Sequence, residues 1–530
     1  MDVDTVPIRP GNGEMVASLG GTIASQSSPL ASVPLEVLLH INRHLTTPEY
    51  GNLRLTCKHI EDQLHIAFAK EFFKKRQFMF TEFSLQALVD ISRSRFASTL
   101  KHVIFGLEQP STSPPLGPTR PTPFPPTFQQ SQPPDFARKN RLTMDWFNHS
   151  SFLDTARNVE MLAEAFSTLP NLETIGMRDF NSLSRYRDAP HTAWNSYGSR
   201  TYFQETGNHM LSVHNRHNFG IAASSDHLIF VYRVFRDILL GAGRASLSLK
   251  HFEVILRNYT LSDRAFIIPR YLEPTIVPVL ANLRTIFLDL NSDPPYIHVE
   301  KDKTMAPCPS YFLMKFLSRT VNLEHLRLNF RSYRDTESFL SWLSRSPPTI
   351  SNSAAATSPC AEPCPVVLKN LRQIDIGMIT VEPKVILAII RKHQTALRVI
   401  SLHKVSFVHT TDVPADERVN LWAKFFKDLS KLDLKLDGIN MSFLSQQQSY
   451  RQHIRPVSFK ETVGKPSKNW AGNDTQSGLR DFQALVFIED LHKDSEVESS
   501  NGSGEEESED SMDDLDHEDD EDEDDEDEEG

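Results

Sequence analysis

Asn322-Leu323-Glu324-His325-Leu326-Arg327-Leu328 spells a short rule, L-x-x-φ-x-φ, in which φ is an apolar residue. The last two apolar residues alternate with polar ones, the period-two pattern of a strand buried on one face. Upstream, the same spelling occurs at Leu100-Val103-Phe105, Leu172-Ile175-Met177, Leu249-Phe252-Val254 and Leu283-Ile286-Leu288. Downstream it occurs at Leu371-Ile374-Ile376, Leu397-Ile400-Leu402 and Leu429-Leu432-Leu434. Asn precedes the first Leu at positions 171, 282, 322 and 370. Several copies follow a stretch of helical spacing, such as Val159 to Leu169, Tyr311 to Leu317 and Val385 to Ile390.

Strand-plus-helix units stacked side by side predict an α/β fold, here an irregular solenoid of the leucine-rich-repeat type. Successive copies lie 72, 77, 34, 40, 48, 26 and 32 residues apart, whereas a standard unit is ~20–29 residues. The excess requires insertions, and an ordinary α/β domain stays open as the alternative. Between the core positions, residues of the strands point the other way. Phe287, Asp289, His325, Arg327, Asn329, Gln373, Asp375, Ser401 and His403 are therefore expected on one face, either exposed and suited to protein recognition or covered by insertions.

Composition bounds the rest. The chain has 530 residues, 39% of them hydrophobic, with 56 Lys+Arg against 69 Asp+Glu and a net charge of −13. That charge is unevenly placed, because no Lys or Arg follows Lys493 and Asp494 to Glu529 holds 23 acidic residues. Elsewhere 46 acidic residues face 56 basic ones, a formal +10. The sequence contains no run of ~18 apolar residues, so no spanning helix is expected and no membrane partner. The acidic start Met1-Asp2-Val3-Asp4 is unlike a secretory signal. Four cysteines in 530 residues make no disulfide framework, which places the chain in a reducing compartment, cytoplasm or nucleus.

The expected layout follows from these shifts. Residues 1–29 read as disordered, 30–95 as an all-helical module with an extension, and 96–108 as the first repeat-like strand. Ten prolines between positions 110 and 134 mark 109–140 as a linker. The repeat region is expected over 141–445, with a disordered insertion at 345–366. A C-terminal segment, 446–492, and an acidic disordered tail, 493–530, complete the chain. Ser495, Ser503 and Ser511 each have an acidic residue three positions later, the pattern of acidophilic kinases.

Catalytic and metal motifs do not accumulate. Gly20-Gly21-Thr22-Ile23-Ala24 is similar to the nucleophile loop of asparaginases, but its flanks are Ser- and Gly-rich rather than a strand. Cys360 and Cys364 lack a second close pair, and His209, His214 and His217 do not share a helix face, so neither set is a zinc site. No cofactor and no catalytic residue is expected. Lys74-Lys75-Arg76 and Arg138-Lys139-Asn140-Arg141 belong to no nucleic-acid motif and read as a solvated helix face or an import signal, so nucleic acid is not an expected partner.

The helical module carries the functional signal. Pro34 and Glu36 suit a first helical turn, and Val37, Leu38, Ile41 and Leu45 then share one helix face. A break at Thr46-Thr47-Pro48 precedes a second helix bearing Leu53 and Leu55 into Cys57-Lys58. Helical spacing continues from Ile60 to Phe80. Val33-Pro34-Leu35-Glu36-Val37-Leu38-Leu39-His40-Ile41 with Leu45 resembles the opening of an F-box, and Leu53-Arg54-Leu55-Thr56-Cys57-Lys58 resembles its second signature. Val33 stands where the family has Leu, and Ile60 near its usual aromatic residue. The stretch Leu35 to Glu108 is similar to filamentous-fungal F-box proteins with degenerate leucine-rich repeats.

This resemblance implies a non-enzymatic substrate receptor of a cullin-based, SCF-type ubiquitin ligase. Its F-box residues Val33, Pro34, Leu35, Glu36, Val37, Leu38, Ile41, Leu45, Leu53, Leu55, Cys57 and Lys58 would bind a Skp-type adaptor and through it the cullin scaffold. The repeat region would hold the target. The alternative reading is a ubiquitin-independent scaffold or chaperone-like protein that binds basic partners through its acidic tail.

Overall fold

Pro34 begins the first helix, α1 (Leu35–Asn42), with Glu36 in its first turn. The second, α2 (Thr47–Leu55), is opened by a capping box: the Glu49 carboxylate accepts a hydrogen bond from the Thr46 amide at 2.8 Å, and Pro48 sits in the first turn. The third is α3 (Lys58–Phe73). Leu38, Tyr50, Ile60 and Leu64 are buried, and Tyr50 meets Phe68 edge-on at 5.3 Å. The computed structural model describes residues 29–110, 136–181, 187–188, 195–206, 225–291, 308–331, 336–347, 362–409, 419–447, 453–460 and 466–489. The first 28 residues, most of the Pro-rich stretch and of the 345–366 insertion, and the acidic tail lie outside them. So do Thr22, the His209–His217 cluster, Cys360 and the three serines of the tail.

The chain divides into two compact units. Residues up to Phe68, with Arg187 and Asp188, make the helical one, and the remainder makes the other. The expected all-helical module ends sooner than the sequence suggests. Instead of a helix to Phe80, the chain turns into a strand, β1 (Lys75–Met79), followed by α4 (Glu82–Ser92) and β2 (His102–Gly106). β1 runs parallel to β2 with Arg76 opposite Val103 and Phe78 opposite Phe105. Lys75 and Arg76 thus lie in a strand rather than on a solvated helix face, and burial lowers the pKa of the Arg76 guanidinium.

From there strands and helices alternate: α5 (Phe136–Asp154), α6 (Arg157–Ser167), β3 (Thr174–Arg178), α7 (Ser199–Thr206), α8 (Ser225–Arg244) and β4 (His251–Ile255). Next come α9 (Glu273–Asn282), β5 (Thr285–Leu290), α10 (Tyr311–Leu317), β6 (His325–Phe330), α11 (Thr336–Ser344) and β7 (Gln373–Val381). Then follow α12 (Pro383–His393), β8 (Val399–Val408), α13 (Leu421–Leu429), β9 (Gly438–Ser442) and β10 (Ser445–Gln447). The last elements are β11 (Arg455–Phe459), β12 (Ser467–Ala471), α14 (Thr475–Leu485) and β13 (Val486–Ile488). The result is a mixed α/β fold with one open sheet, parallel from β1 through β8 in chain order. Long β8 pairs with β9 along its first half and β10 along its second, and β11, β12 and β13 add antiparallel strands.

The spelling of the repeat is a register. Val103, Ile175, Phe252, Ile286, Leu326, Ile374, Ile400 and Ile439 are successive partners across eight strands, and all are buried. The helices pack side by side, α4 on α6, α6 on α8, α8 on α9 and α11 through α14 in turn, and share one apolar core with this face of the sheet. A full aliphatic burial is worth roughly 1.5–3 kcal/mol, an exposed ion pair such as Lys250–Glu173 about 0–1 kcal/mol. The apolar row therefore dominates. The turn before each strand is chained to its predecessor: the amides of Arg284 and Thr285 both donate to the Lys250 carbonyl, and those of Glu324 and His325 to the Arg284 carbonyl. The Asn that precedes the first Leu does similar work. Asn171 Nδ2 donates to the Ser98 carbonyl and Asn322 Nδ2 to that of Ala281, two residues before the previous Leu in each case.

The final copy is displaced. Leu429 ends α13, and no strand covers Leu432 or Leu434. The strand in register with Ile400 and Leu402 is β9, whose pattern is Leu436-Ile439-Met441. Met378, Lys404 and Phe443 adopt left-handed backbone (φ 57°, 50° and 51°) at one level of neighbouring strands. Each moves the inward alternation on by one residue, from Ile376, Leu402 and Met441 to Ile379, Val405 and Leu444.

Ile439→Ala is expected to cost about 2–5 kcal/mol of stability, and Leu432→Ala, at a half-buried site outside the ladder, clearly less. Urea midpoints of the two variants check this; the reverse order would return the last strand to Leu432.

Candidate functional site

On the helical unit, Leu38 turns inward while Leu35, Val37 and Ile41 of α1 are 39%, 47% and 40% exposed, and Leu55 at the end of α2 is 83% exposed. Pro34, Glu36, Cys57 and Lys58 are exposed as well, and Val33, Leu45 and Leu53 are half-buried. Of the twelve expected docking residues, then, eight are exposed, three half-buried and one, Leu38, buried. A unit of this size buries too little of its own apolar surface to stand on a large core. Four apolar side chains of the two signatures are thus left outside.

Ion pairs and rings hold the helices beneath that surface. Arg54 of α2 lies 3.5 Å from the Phe68 ring centroid and 2.7 Å from Glu61 of α3. Between α1 and α2, Arg187 caps the end of α1 by donating to the carbonyls of Asn42 and, at 3.2 Å, Leu45, and its guanidinium faces Tyr50 at 4.9 Å. Asp188 accepts from the Thr47 amide at 3.1 Å and its hydroxyl at 2.9 Å, at the start of α2. A cation at the carboxyl end of one helix and a carboxylate at the amino end of the next both oppose the helix dipoles. Nothing in the sequence spacing announces this clasp, because it comes from 130 residues downstream of α2's last turn.

The second candidate surface is the polar side of β5–β8. The structure brings all nine expected residues together in register: Phe287, Arg327, Asp375 and Ser401 in one row, Asp289, Asn329, Gly377 and His403 in the next, with His325 opposite Gln373. It does not leave them exposed. Asp289, Arg327 and Asn329 are buried, contrary to the exposed reading of that face, and the other six are half-buried. The reason is mutual satisfaction. His325 Nε2 lies 2.7 Å from the Asp375 carboxylate, which also accepts from Gln373, and the His325 ring meets Phe287 edge-on at 4.8 Å. The Arg327 guanidinium sits 5.4 Å from the Phe287 ring. Asp289 accepts from the Leu256 amide at 2.6 Å; burial raises its pKa while nearby Arg327 opposes the rise. A Cβ on Gly377 would fall 2.3 Å from Asn329 Oδ1, so any larger residue there would displace the Asn329 side chain.

Among the described residues, no three His, Cys, Asp or Glu side chains are grouped to hold a metal ion, and no helix is long and apolar enough to cross a membrane. No protein-family model and no curated protein matches the chain.

Asp188→Ala is expected to cost the α2 start about 0.5–2 kcal/mol, the usual worth of a capping carboxylate. Hydrogen exchange at the Thr47 amide should quicken while β5–β8 amides stay unchanged; an unaltered Thr47 amide would contradict the clasp.

Proposed function

We propose that this protein is the substrate-recognition subunit of a cullin-based ubiquitin ligase, docking a Skp-type adaptor through an F-box formed by α1 and α2. The observation that carries this reading is the split behaviour of one short helix. Leu38 is wholly buried and fills the interior, while Leu35, Val37 and Ile41, with Leu55 at the end of α2, remain outside and available to a partner. Those side chains belong to the two signatures by which the sequence resembles the family.

The α/β unit holds the target in this account, as a leucine-rich-repeat type of solenoid. Consecutive parallel strands, one buried row running through eight of them, and turn amides chained from each unit to the last support that architecture. Catalysis belongs to the other ligase subunits; this chain contributes proximity by fixing a target near the ubiquitin carrier.

Capture of a purified Skp-type adaptor tests the docking half. Pro34→Ala with Leu35→Ala is expected to weaken capture about tenfold or more, the effect of removing an interface anchor. Both residues are exposed, so the urea midpoint should hardly move. Capture unchanged by the double substitution would refute the docking assignment.

A further inference from the structure

A cleft of about 200 Å³ opens in the α/β unit where β1 and β2 end. It lies beyond the carboxyl ends of these two strands. Met79 closes β1; Thr81, Glu82 and Phe83 begin α4; Pro110 follows β2. The opposite walls are helical. Asp145, Asn148, His149 and Phe152 lie at i, i+3, i+4 and i+7 on α5, and Thr201, Tyr202 and Glu205 share a face of α7.

The walls are tied to one another. Met79 N–H donates to Ser84 Oγ at 3.0 Å, the Ser84 hydroxyl donates to the Tyr197 carbonyl at 2.8 Å, and Tyr197 N–H donates to the Gln77 carbonyl at 2.8 Å. Gly198 then enters α7 at φ +89°, where a Cβ would press within 2.9 Å of both Met79 and Phe83. The side of the cleft formed by β1, α4 and the start of α7 is thus preformed.

Its chemistry is acidic and aromatic. Glu82, Asp145 and Glu205 line it, together with the rings of Phe83 and Tyr202. Of the cations nearby, Arg141 pairs with Glu205 at 3.2 Å, and Arg233, which acts on His149, pairs with Asp154 at 2.9 Å. Two buried polar atoms of the lining have no hydrogen-bond partner among the described residues, Asp145 Oδ2 and His149 Nε2. Burial raises the pKa of Asp145, with Glu205 adding to the rise and Arg141 opposing it, and burial holds the His149 imidazole neutral with a pKa of about 4. A buried acceptor without a donor is costly, and a cationic N–H satisfies it best. The aromatic faces favour a cation as well. An anion is repelled by the carboxylates, and an apolar group leaves both atoms unsatisfied. At about 200 Å³ the space suits one long side chain rather than a ligand of the ~300–1,000 Å³ class.

We propose that this cleft receives a basic side chain, arginine or lysine, from a segment of the target protein, with Asp145 as its principal partner and Phe83 and Tyr202 flanking its stem. This deepens the target-capture half of the proposed function and rests on it. The polar rows of β5–β8, whose charged groups are buried or already paired, leave that half without an open anchor, and the cleft supplies one.

The test uses the full chain and labelled peptides of the form Gly-Ser-X-Ser-Gly, with X as arginine, lysine, citrulline or glutamate, read by fluorescence polarisation. The arginine or lysine peptide should bind about tenfold or more tightly than the citrulline and glutamate peptides, and Asp145→Asn should remove that preference. Phe83→Ala, at an exposed ring, should weaken the basic peptides about threefold and serves if Asp145→Asn fails to fold. Equal binding of all four peptides, binding of none, or a preference intact in both variants would overturn the proposal. So would spermidine that binds more tightly than either basic peptide, since a free polyamine would then be the ligand. Capture of the Skp-type adaptor by the unaltered chain separates the two readings. Capture without a peptide preference locates the fault in the cleft, and a peptide preference without capture locates it in the docking unit.

Discussion

The structure depends on keeping one apolar row in register across eight parallel strands. Each strand contributes one side chain to the row, and each preceding turn is fixed by two amides that share the carbonyl of the unit before it. The apolar contacts supply the free energy and the paired amides set the phase. A slip of one residue would turn the buried row outward and bring Arg327, Asp375 and Ser401 into the core. Insertions between units are tolerated because the constraint acts at the strands, so intervals from 26 to 77 residues still deliver the chain to its place.

That constraint also explains the polar face. Once the row is set, the residues between its members are brought side by side whether or not they suit one another. Here they do: His325 reaches Asp375, Asp289 has Arg327, and Gly377 leaves room for Asn329. The charged groups of this face are buried or meet one another, whereas the cleft lies at the start of the sheet, where strands end against helices.

Much of this was legible in the sequence. Six interior copies of the repeat, and the one at Leu100, name the buried residues of β2 to β8. The failures have physical reasons. β1 escaped notice because Arg76 occupies the position that Val103 fills in β2, so the strand carries no apolar alternation. The last copy was misplaced because Leu429 ends a helix whose own spacing, Leu421, Trp422, Phe425, Phe426 and Leu429, runs into two further leucines that imitate the pattern. Strands β10 and β13 are three residues long and one buries glutamines, which no periodicity reveals. The cleft and the Arg187–Asp188 clasp join residues far apart in the chain, and no local spacing encodes them. The exposed apolar residues of α1 and α2, Leu35, Val37, Ile41 and Leu55, by contrast, all belong to the signature spelling, which also includes buried Leu38.

In the proposed function, docking belongs to one small unit and target capture to the other. Hydrogen exchange of the full chain, alone and with a saturating Skp-type adaptor, tests that division most directly. Slowed exchange confined to the segment from Leu35 to Lys58, with β1 to β8 unchanged, is the predicted result. Protection in the strands instead, or none in α1 and α2, would contradict it.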